Sequence, residues 1–233
     1  MKKIGEISKI FRYPVKSFEG ESLQKILVTL YGLEGDRYFA IKDADSQGLL
    51  SQSEIPELIN FKASFQSDHS EEVVIKDRKG NHFNWGTPSL KKVIERFYQQ
   101  PIEFGSLESV QKEAGLYNDV APILIITTKK LNTLKALWGE EVNLLRFRAN
   151  FLVELEDDVE EETLLASDIT IGDVVLQPLE ECERCNMITI DPVTGVKTPA
   201  LHKAVAKEFN NRFGIYYSVK TPGNIAVNTS LYI

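Results

Sequence analysis

Apolar and polar residues alternate over much of this chain, the period of a half-buried β-strand. Lys3 to Tyr13 and Leu23 to Leu30 alternate in this way and are rich in β-branched side chains. Tyr31-Gly-Leu-Glu-Gly35 supplies turn chemistry after them, and Tyr38 to Lys42 predicts another strand before a polar turn at Asp43 to Gly48. Ile59 to Phe65 and Val73 to Lys76 follow. Asp77-Arg-Lys-Gly-Asn81 then reads as a hairpin connection, with glycine where positive φ is wanted. Strand patterns return at Ile123 to Ile126, Phe151 to Leu155, Val174 to Leu179, Tyr216 to Val219 and Ile225 to Val227. The helical period is less frequent. Pro88 to Tyr98 places Leu90, Val93, Ile94 and Phe97 on one face. A second helix, capped by Thr127 or Thr128, carries Leu131, Leu134 and Leu137 and stops at Gly139; Leu201 to Phe209 predicts a third. The class is mainly β with short helices (α+β). Loop-like composition concentrates between Gly105 and Asp119 and predicts two β-rich halves, 1–112 and 113–233.

Composition narrows the class without naming a function. A content of 42% apolar and 26% charged residues is that of a soluble globular protein, and 233 residues can build a sizeable core. No window approaches the roughly 20 apolar residues of a membrane span. An acid and alternating polar residues follow Met1-Lys-Lys at once, which predicts an unexported, cytoplasmic chain whose two cysteines are thiols. The net charge of −7 argues against non-specific nucleic-acid binding. Seven acids fall within Glu154 to Glu162, a block expected to be a solvated loop, and the rest of the chain is close to neutral.

Four segments carry candidate chemistry. In Tyr13-Pro-Val-Lys-Ser17, Pro14 stops pairing and stiffens the chain, so Lys16 and Ser17 project from a fixed loop. An ammonium beside a hydroxyl suits an anionic oxygen such as a phosphate, although a Lys-Ser pair after a strand is more often plain surface. Arg37 follows a glycine-bearing turn; a locally stabilised Asp36–Arg37 turn is the simpler reading. In Arg146-Phe-Arg-Ala-Asn150, strand alternation puts Arg146, Arg148 and Asn150 on one side and Phe147 on the other. Three donors on one face suit an oxyanion or a heterocycle edge; a solvated edge strand fits the spacing equally well. Cys182-Glu-Arg-Cys185 sets a cation between two sulfurs, a usual recipe for a reactive or metal-binding thiol. An apolar run over Ile188 to Ile190 and a tight turn at Asp191-Pro-Val-Thr-Gly195 follow, predicting a short strand on a rigid rim. Structural zinc needs four Cys or His ligands, whereas His69, His82 and His202 stand singly, the last two reading as surface residues. Thioredoxin-like chemistry expects the motif at a helix N-terminus. Two buried structural cysteines are the plain alternative.

Taken in order, these segments resemble the MOSC proteins, named for the C-terminal domain of molybdenum-cofactor sulfurase. Tyr13 to Ser17 and Gly35-Asp-Arg37 are similar to the β-barrel N-terminal module of such chains. Arg146 to Asn150 resembles the family's Arg-Phe-Arg-Pro-Asn. Ile171-Gly-Asp173, Cys182 to Cys185, Thr189 to Gly195, Phe213 to Tyr216 and Pro222 to Ile225 follow in register. The resemblance is nearest to the amidoxime-reducing components, which hold molybdenum cofactor between two modules and reduce N-hydroxylated compounds. It implies an N-terminal β-barrel-like module over 1–112 and a β-barrel MOSC domain over 113–233. It implies Cys185 as the molybdenum ligand and catalytic residue, and Lys16, Ser17 and Arg37 on the pterin's phosphate. Arg148 and Asn150 would bind the cofactor, with Arg146 and Arg184 beside them. The implied function is a molybdenum-cofactor oxidoreductase acting on N–O bonds of a small-molecule substrate. The implied alternative is a non-catalytic cofactor carrier, or a sulfurtransferase using Cys185. Two cysteines cannot hold an iron–sulfur cluster, so electrons are expected from a separate electron-transfer protein; zinc, nucleic acid and membrane are not expected. The chain departs from the pattern at Ala149 (usually proline), Ser53 (usually arginine), Val227-Asn228-Thr229 (usually containing Gly-Asp) and Glu183 (usually small). The Glu183 carboxylate either faces the anionic cofactor or points outward.

Overall fold

The structure, a computed structural model, describes residues 1–67, 72–106 and 120–233; the expected boundary segment and His69 fall largely outside them. The first half supplies strands β1 (Lys3–Arg12), β2 (Glu21–Leu23), β3 (Lys25–Thr29), β4 (Gly32–Leu33), β5 (Phe39–Asp43), β6 (Leu49–Leu50), β7 (Phe61–Phe65), β8 (Val73–Asp77), β9 (His82–Asn84) and β10 (Ile102–Ser106), with helix α1 (Pro88–Tyr98). The second half supplies β11 (Ile123–Thr127), β12 (Phe151–Leu155), β13 (Ile169–Ile171), β14 (Val174–Glu183), β15 (Arg212–Thr221), β16 (Gly223–Ala226) and β17 (Ser230–Tyr232), with helices α2 (Thr128–Trp138) and α3 (Pro199–Phe209). Strands dominate and the helices are short, as the alternation predicts.

Seven strands close on themselves in the order β12-β11-β15-β14-β13-β17-β1, with β1 returning to β12. All neighbours are antiparallel except β11 and β12. Closure leaves the ring without an unpaired edge. The barrel is built mainly from the second half, yet its ring is completed by the first strand of the chain. In the other direction, β16 leaves the chain's end to pair with β3. Ile7 and Ile10 of β1, Ile123 and Ile125 of β11, Phe151 and Val153 of β12 and Ile215 and Tyr217 of β15 fill the interior. The intervening Leu124, Ile126 and Leu152 pack outward against Leu134 of α2, Leu201 and Val205 of α3, and Phe147 and Phe213. Burial on both faces explains why β11 is a continuous apolar run rather than an alternating one. A third cluster around Phe18, Leu58, Phe61, Ile75, Leu90 and Ile94 makes the core of the first half.

Thr127 caps α2 by accepting the Lys130 amide, and Gly139 ends the helix in the left-handed conformation, as the sequence predicts. Leu137 is nevertheless exposed while Leu134 is buried. A spacing of three drifts about 60° around the helix at each step, which carries Leu137 off the buried stripe. Phe97 of α1 is likewise half exposed. At the seam between β1 and β12, a Cβ on Gly5 would fall inside the van der Waals radius of the Glu154 carbonyl oxygen. Gly5→Ala is therefore expected to pry this closure apart and cost about 1–3 kcal/mol. The urea midpoint measures this, and an unchanged midpoint would mean that the seam is not close-packed.

Candidate functional site

Lys16 and Ser17 leave β1 through a pinned loop. The Lys16 amide donates to the Phe39 carbonyl at 2.8 Å, the Arg37 amide donates to the Tyr13 carbonyl at 2.7 Å, and Val15 bridges to Phe39. Gln52, buried, donates to the Ser17 carbonyl at 2.6 Å. Ser17, Arg37 and Arg148 all adopt left-handed backbone, with φ of 70°, 54° and 54°. Such conformations are uncommon outside glycine and asparagine and persist where the surroundings over-determine them, often at functional sites.

Asp36 is the hub beneath these residues. Its buried carboxylate accepts the Tyr13 amide at 2.7 Å and the Asn150 side-chain amide at 3.2 Å, and it pairs with the Arg37 guanidinium. Asn150 in turn accepts the Leu124 amide at 3.1 Å, and Arg37 Nη2 donates to the Arg148 carbonyl at 3.2 Å. The Asp36–Arg37 pair is local, as the simpler sequence reading has it, but it also ties the first half to the second. The Tyr13 ring lies beneath two guanidinium groups, 5.1 Å from Arg37 and 4.4 Å from Arg148. Burial pushes the Tyr13 hydroxyl up to about 12, against the opposing pull of Arg148 and Arg37, so it stays a donor, to the Ala149 carbonyl at 3.2 Å.

The expected strand entrance at Arg146 to Asn150 is not formed. Leu144–Phe147 is a 3-10 turn opened by Asn143, whose side chain accepts the Leu145 amide at 3.0 Å. Phe147 is buried and stacks on Phe213 with centroids 4.4 Å apart. The polar residues still converge, through a turn and a left-handed Arg148 rather than through alternation. Arg146 is committed to the protein: it donates to the Ile188 and Thr189 carbonyls at 3.2 and 3.0 Å and pairs with Asp191 at 2.8 Å. Burial lowers its pKa, against Asp191. Burial would raise Asp191, but hydrogen bonds from Thr194 and Val193, with Arg146 nearby, hold it below the usual carboxylate range.

Alternation continues past the end of β14. Cys182 and Arg184 are buried, whereas Glu183 and Cys185 are exposed. The Arg184 guanidinium donates to Cys182 Sγ and to the Phe147 carbonyl at 2.7 Å. Its Nε is buried and has no hydrogen-bond partner among the described residues. The Arg184 backbone donates to the Asn211 carbonyl at 2.8 Å and accepts from His202 Nε2 at 3.0 Å. His202 is therefore a brace behind the segment rather than a plain surface residue. After Cys185 the chain forms a 3-10 turn, Asn186–Thr189, in place of the expected strand, because Arg146 draws its carbonyls inward. The turn at Asp191 to Gly195 forms as expected, with Gly195 at φ 71°.

All eight candidate residues line one cavity of about 320 Å³: Lys16, Ser17 and Arg37 from the first half, and Arg146, Arg148, Asn150, Arg184 and Cys185 from the second. Gln52, Cys182, Glu183 and Tyr216 join them. The Tyr216 hydroxyl is raised in pKa by burial and by Cys182 beside it. Tyr13, Asp36, Gln52, Tyr216 and His202 were not candidates on sequence. Tyr13 and Asp36 lay within the motifs, but only the fold shows that they support the charged residues. Five cations and a single carboxylate among the described lining residues suit an anionic ligand, and the exposed thiol of Cys185 suits a soft metal.

Residues 112–232, more than half of the chain, match the MOSC domain, and residues 4–109 match the MOSC N-terminal beta barrel domain. The chain belongs to the MOSC family. This MOSC chain is 25% identical to mitochondrial amidoxime reducing component 2 of Bos taurus, with 100% of the chain and 84% of that relative covered. It is 23% identical to mitochondrial amidoxime-reducing component 1 of Homo sapiens, with the same coverage. Against molybdenum cofactor sulfurase of Caenorhabditis elegans the identity is 25%, over 90% of the chain and 33% of that longer protein. The crystal structure of the YUAD protein from Bacillus subtilis superposes with a TM-score of 0.54 at 14% identity, covering 98% of this chain and 94% of that one, which shows a shared fold.

Proposed function

We propose that this MOSC protein binds molybdenum cofactor in the cavity, with Cys185 as metal ligand, and is an oxidoreductase acting on N–O bonds of N-hydroxylated small molecules. The observation that carries the reading is the convergence of Lys16, Ser17, Arg37, Arg148, Asn150, Arg184 and Cys185 on one cleft between the halves. The relatives that span the whole chain are named amidoxime reducing components, which supports it. The residues fit the group. A dianionic phosphate calls for several cations, and a soft metal for a thiolate. The buried Arg184 Nε, without a partner among the described residues, offers a further donor.

In this reading Lys16, Ser17 and Arg37 hold the phosphate, Arg148 and Asn150 hold the pterin, and Arg146 fixes the segment that carries Cys185. When bound, the cofactor supplies the two-electron chemistry of N–O reduction. The chain's own residues neutralise its charge, orient it through clamped backbone, and leave Cys185 on the solvent side. Electrons come from a separate electron-transfer protein, and we place the reaction in the cytoplasm.

Lys16→Ala and Arg37→Ala are each expected to weaken cofactor retention by about 1.5–3 kcal/mol, the range for hydrogen bonds to charged groups. The double variant should fall short of the sum, because both residues serve one phosphate. Pterin released from the purified variants, measured by fluorescence, gives the occupancy; full occupancy in the double variant would overturn the assignment. A second reading, a cofactor carrier or sulfurtransferase, is favoured by the exposure of the Cys185 thiol and by the match to molybdenum cofactor sulfurase. Turnover of benzamidoxime with a chemically reduced viologen as electron source decides between them: the carrier binds cofactor and turns over nothing.

A further inference from the structure

Glu183 is the single carboxylate among the described residues lining a cavity that also carries Lys16, Arg37, Arg146, Arg148 and Arg184. It stands two positions before Cys185 on a strand-like segment. Alternation there places both side chains on the exposed side and turns Cys182 and Arg184 inward. Two residues of extended chain separate their Cα atoms by about 7 Å. No ion pair forms to the carboxylate among the described residues. The neighbouring Arg212 turns to Glu181 instead, at 3.7 Å. The hydrogen bond recorded to the Glu183 carboxylate is a long one, from Asn211 Nδ2 at 3.4 Å. His202 Nε2, which donates to the Arg184 carbonyl, lies 3.0 Å from Asn211 Oδ1, on the side away from the contact between Asn211 Nδ2 and Glu183 Oε1. A neutral amide positions the carboxylate without cancelling it.

Among its described lining residues the cavity therefore carries five cations and, two positions from Cys185, one carboxylate. Several of its cations already have protein partners: Arg146 is paired with Asp191 and Arg37 with Asp36. A bound phosphate would neutralise further positive charge. On the exposed side of the segment that carries Cys185 the charged side chain is Glu183, because Arg184 turns inward to Cys182 and the Phe147 carbonyl. We propose that Glu183 is a specificity-determining residue that selects the charge of the molecule reaching Cys185. It would favour substrates with a cationic or N–H-rich group next to the reacting atom and disfavour anionic ones. The proposal rests on Cys185 being the reacting end of the site. An exposed carboxylate acts through a screened field, so the discrimination is expected to be about three- to tenfold rather than absolute.

Two measurements on the full chain separate this inference from the reductase reading. In protein made without cofactor, Cys185 is labelled by a trimethylammonium-ethyl and by a sulfonato-ethyl methanethiosulfonate, with buried Cys182 shielded. The ratio of cationic to anionic labelling rates should fall about three- to tenfold in Glu183→Gln and further in Glu183→Lys. In cofactor-loaded protein reduced by a viologen, the kcat/KM ratio of trimethylammonium- to carboxylate-bearing benzamidoximes should fall in the same order, mainly through KM. Labelling and kinetic ratios that ignore Glu183 would overturn the charge filter. A labelling ratio that follows the charge series while the wild-type protein turns over neither probe would uphold the filter and count against the reductase reading.

Discussion

Replacing Cys185 with serine is expected to strip molybdenum from the protein and abolish N–O reduction while leaving the thermal transition in place. The thiol is exposed and has no packing role in the cores described above, so the fold does not depend on it. A serine hydroxyl is a poor ligand for a soft metal, whereas the thiolate is a good one. Cys182→Ser makes the contrast. Cys182 is buried with 2% of its surface exposed, on the other side of the same segment, and its sulfur accepts from the Arg184 guanidinium. A serine oxygen can accept the same bond, so metal content should change little. Metal analysis of both variants, purified from a host that makes the cofactor, gives the answer. Equal loss in the two would contradict the single-ligand assignment and point to a Cys182–Cys185 redox pair.

Removal of Asp36 should have the largest effect on stability. Its carboxylate, buried with 7% of the residue exposed, pairs with Arg37 and accepts from Tyr13 and Asn150. Asp36→Ala leaves the Arg37 guanidinium without that partner in a partly buried place, strands the buried Tyr13 amide and leaves the Asn150 amide with only its long bond to the Phe11 carbonyl. Breaking a buried pair from one side typically costs about 3–5 kcal/mol. The cost should appear as a lower urea midpoint at unchanged slope. It should be accompanied by loss of cofactor retention, because Arg37 and Asn150 are positioned by the same carboxylate. A variant with wild-type stability would show that Asp36 does not join the two halves as the geometry implies.

Most of the longer β-strands and the ends of the first two helices were legible because their causes are local, whereas β10, β13 and β17 carry too short or too weak a pattern to be expected. Pro88 and Thr127 start helices, Gly139 stops one, alternating apolar residues mark β1 and a short apolar run marks β12. The candidate residues stood together on sequence only through the family resemblance, because each motif alone reads equally well as surface or a local turn; that they line one cavity is visible in the fold. Three further things were not legible. Alternation marks β1 as a strand but does not say that it pairs with β12 and β17 from the opposite end of the chain. Arg146 to Asn150 has the spacing of a strand, but the Asn143 cap and the carbonyls after Cys185 hold it in a turn. Asp36, Tyr13 and His202 act through partners more than one hundred or about ten positions away, and such contacts leave no short-range signature.

If one cavity holds the cofactor with its metal on Cys185, anomalous X-ray diffraction at the molybdenum edge, from crystals of protein purified from a cofactor-producing host, will show it. One anomalous peak is expected, inside the cavity and at bonding distance from the Cys185 sulfur. A peak located elsewhere, or metal-free protein with the cavity open, would contradict it.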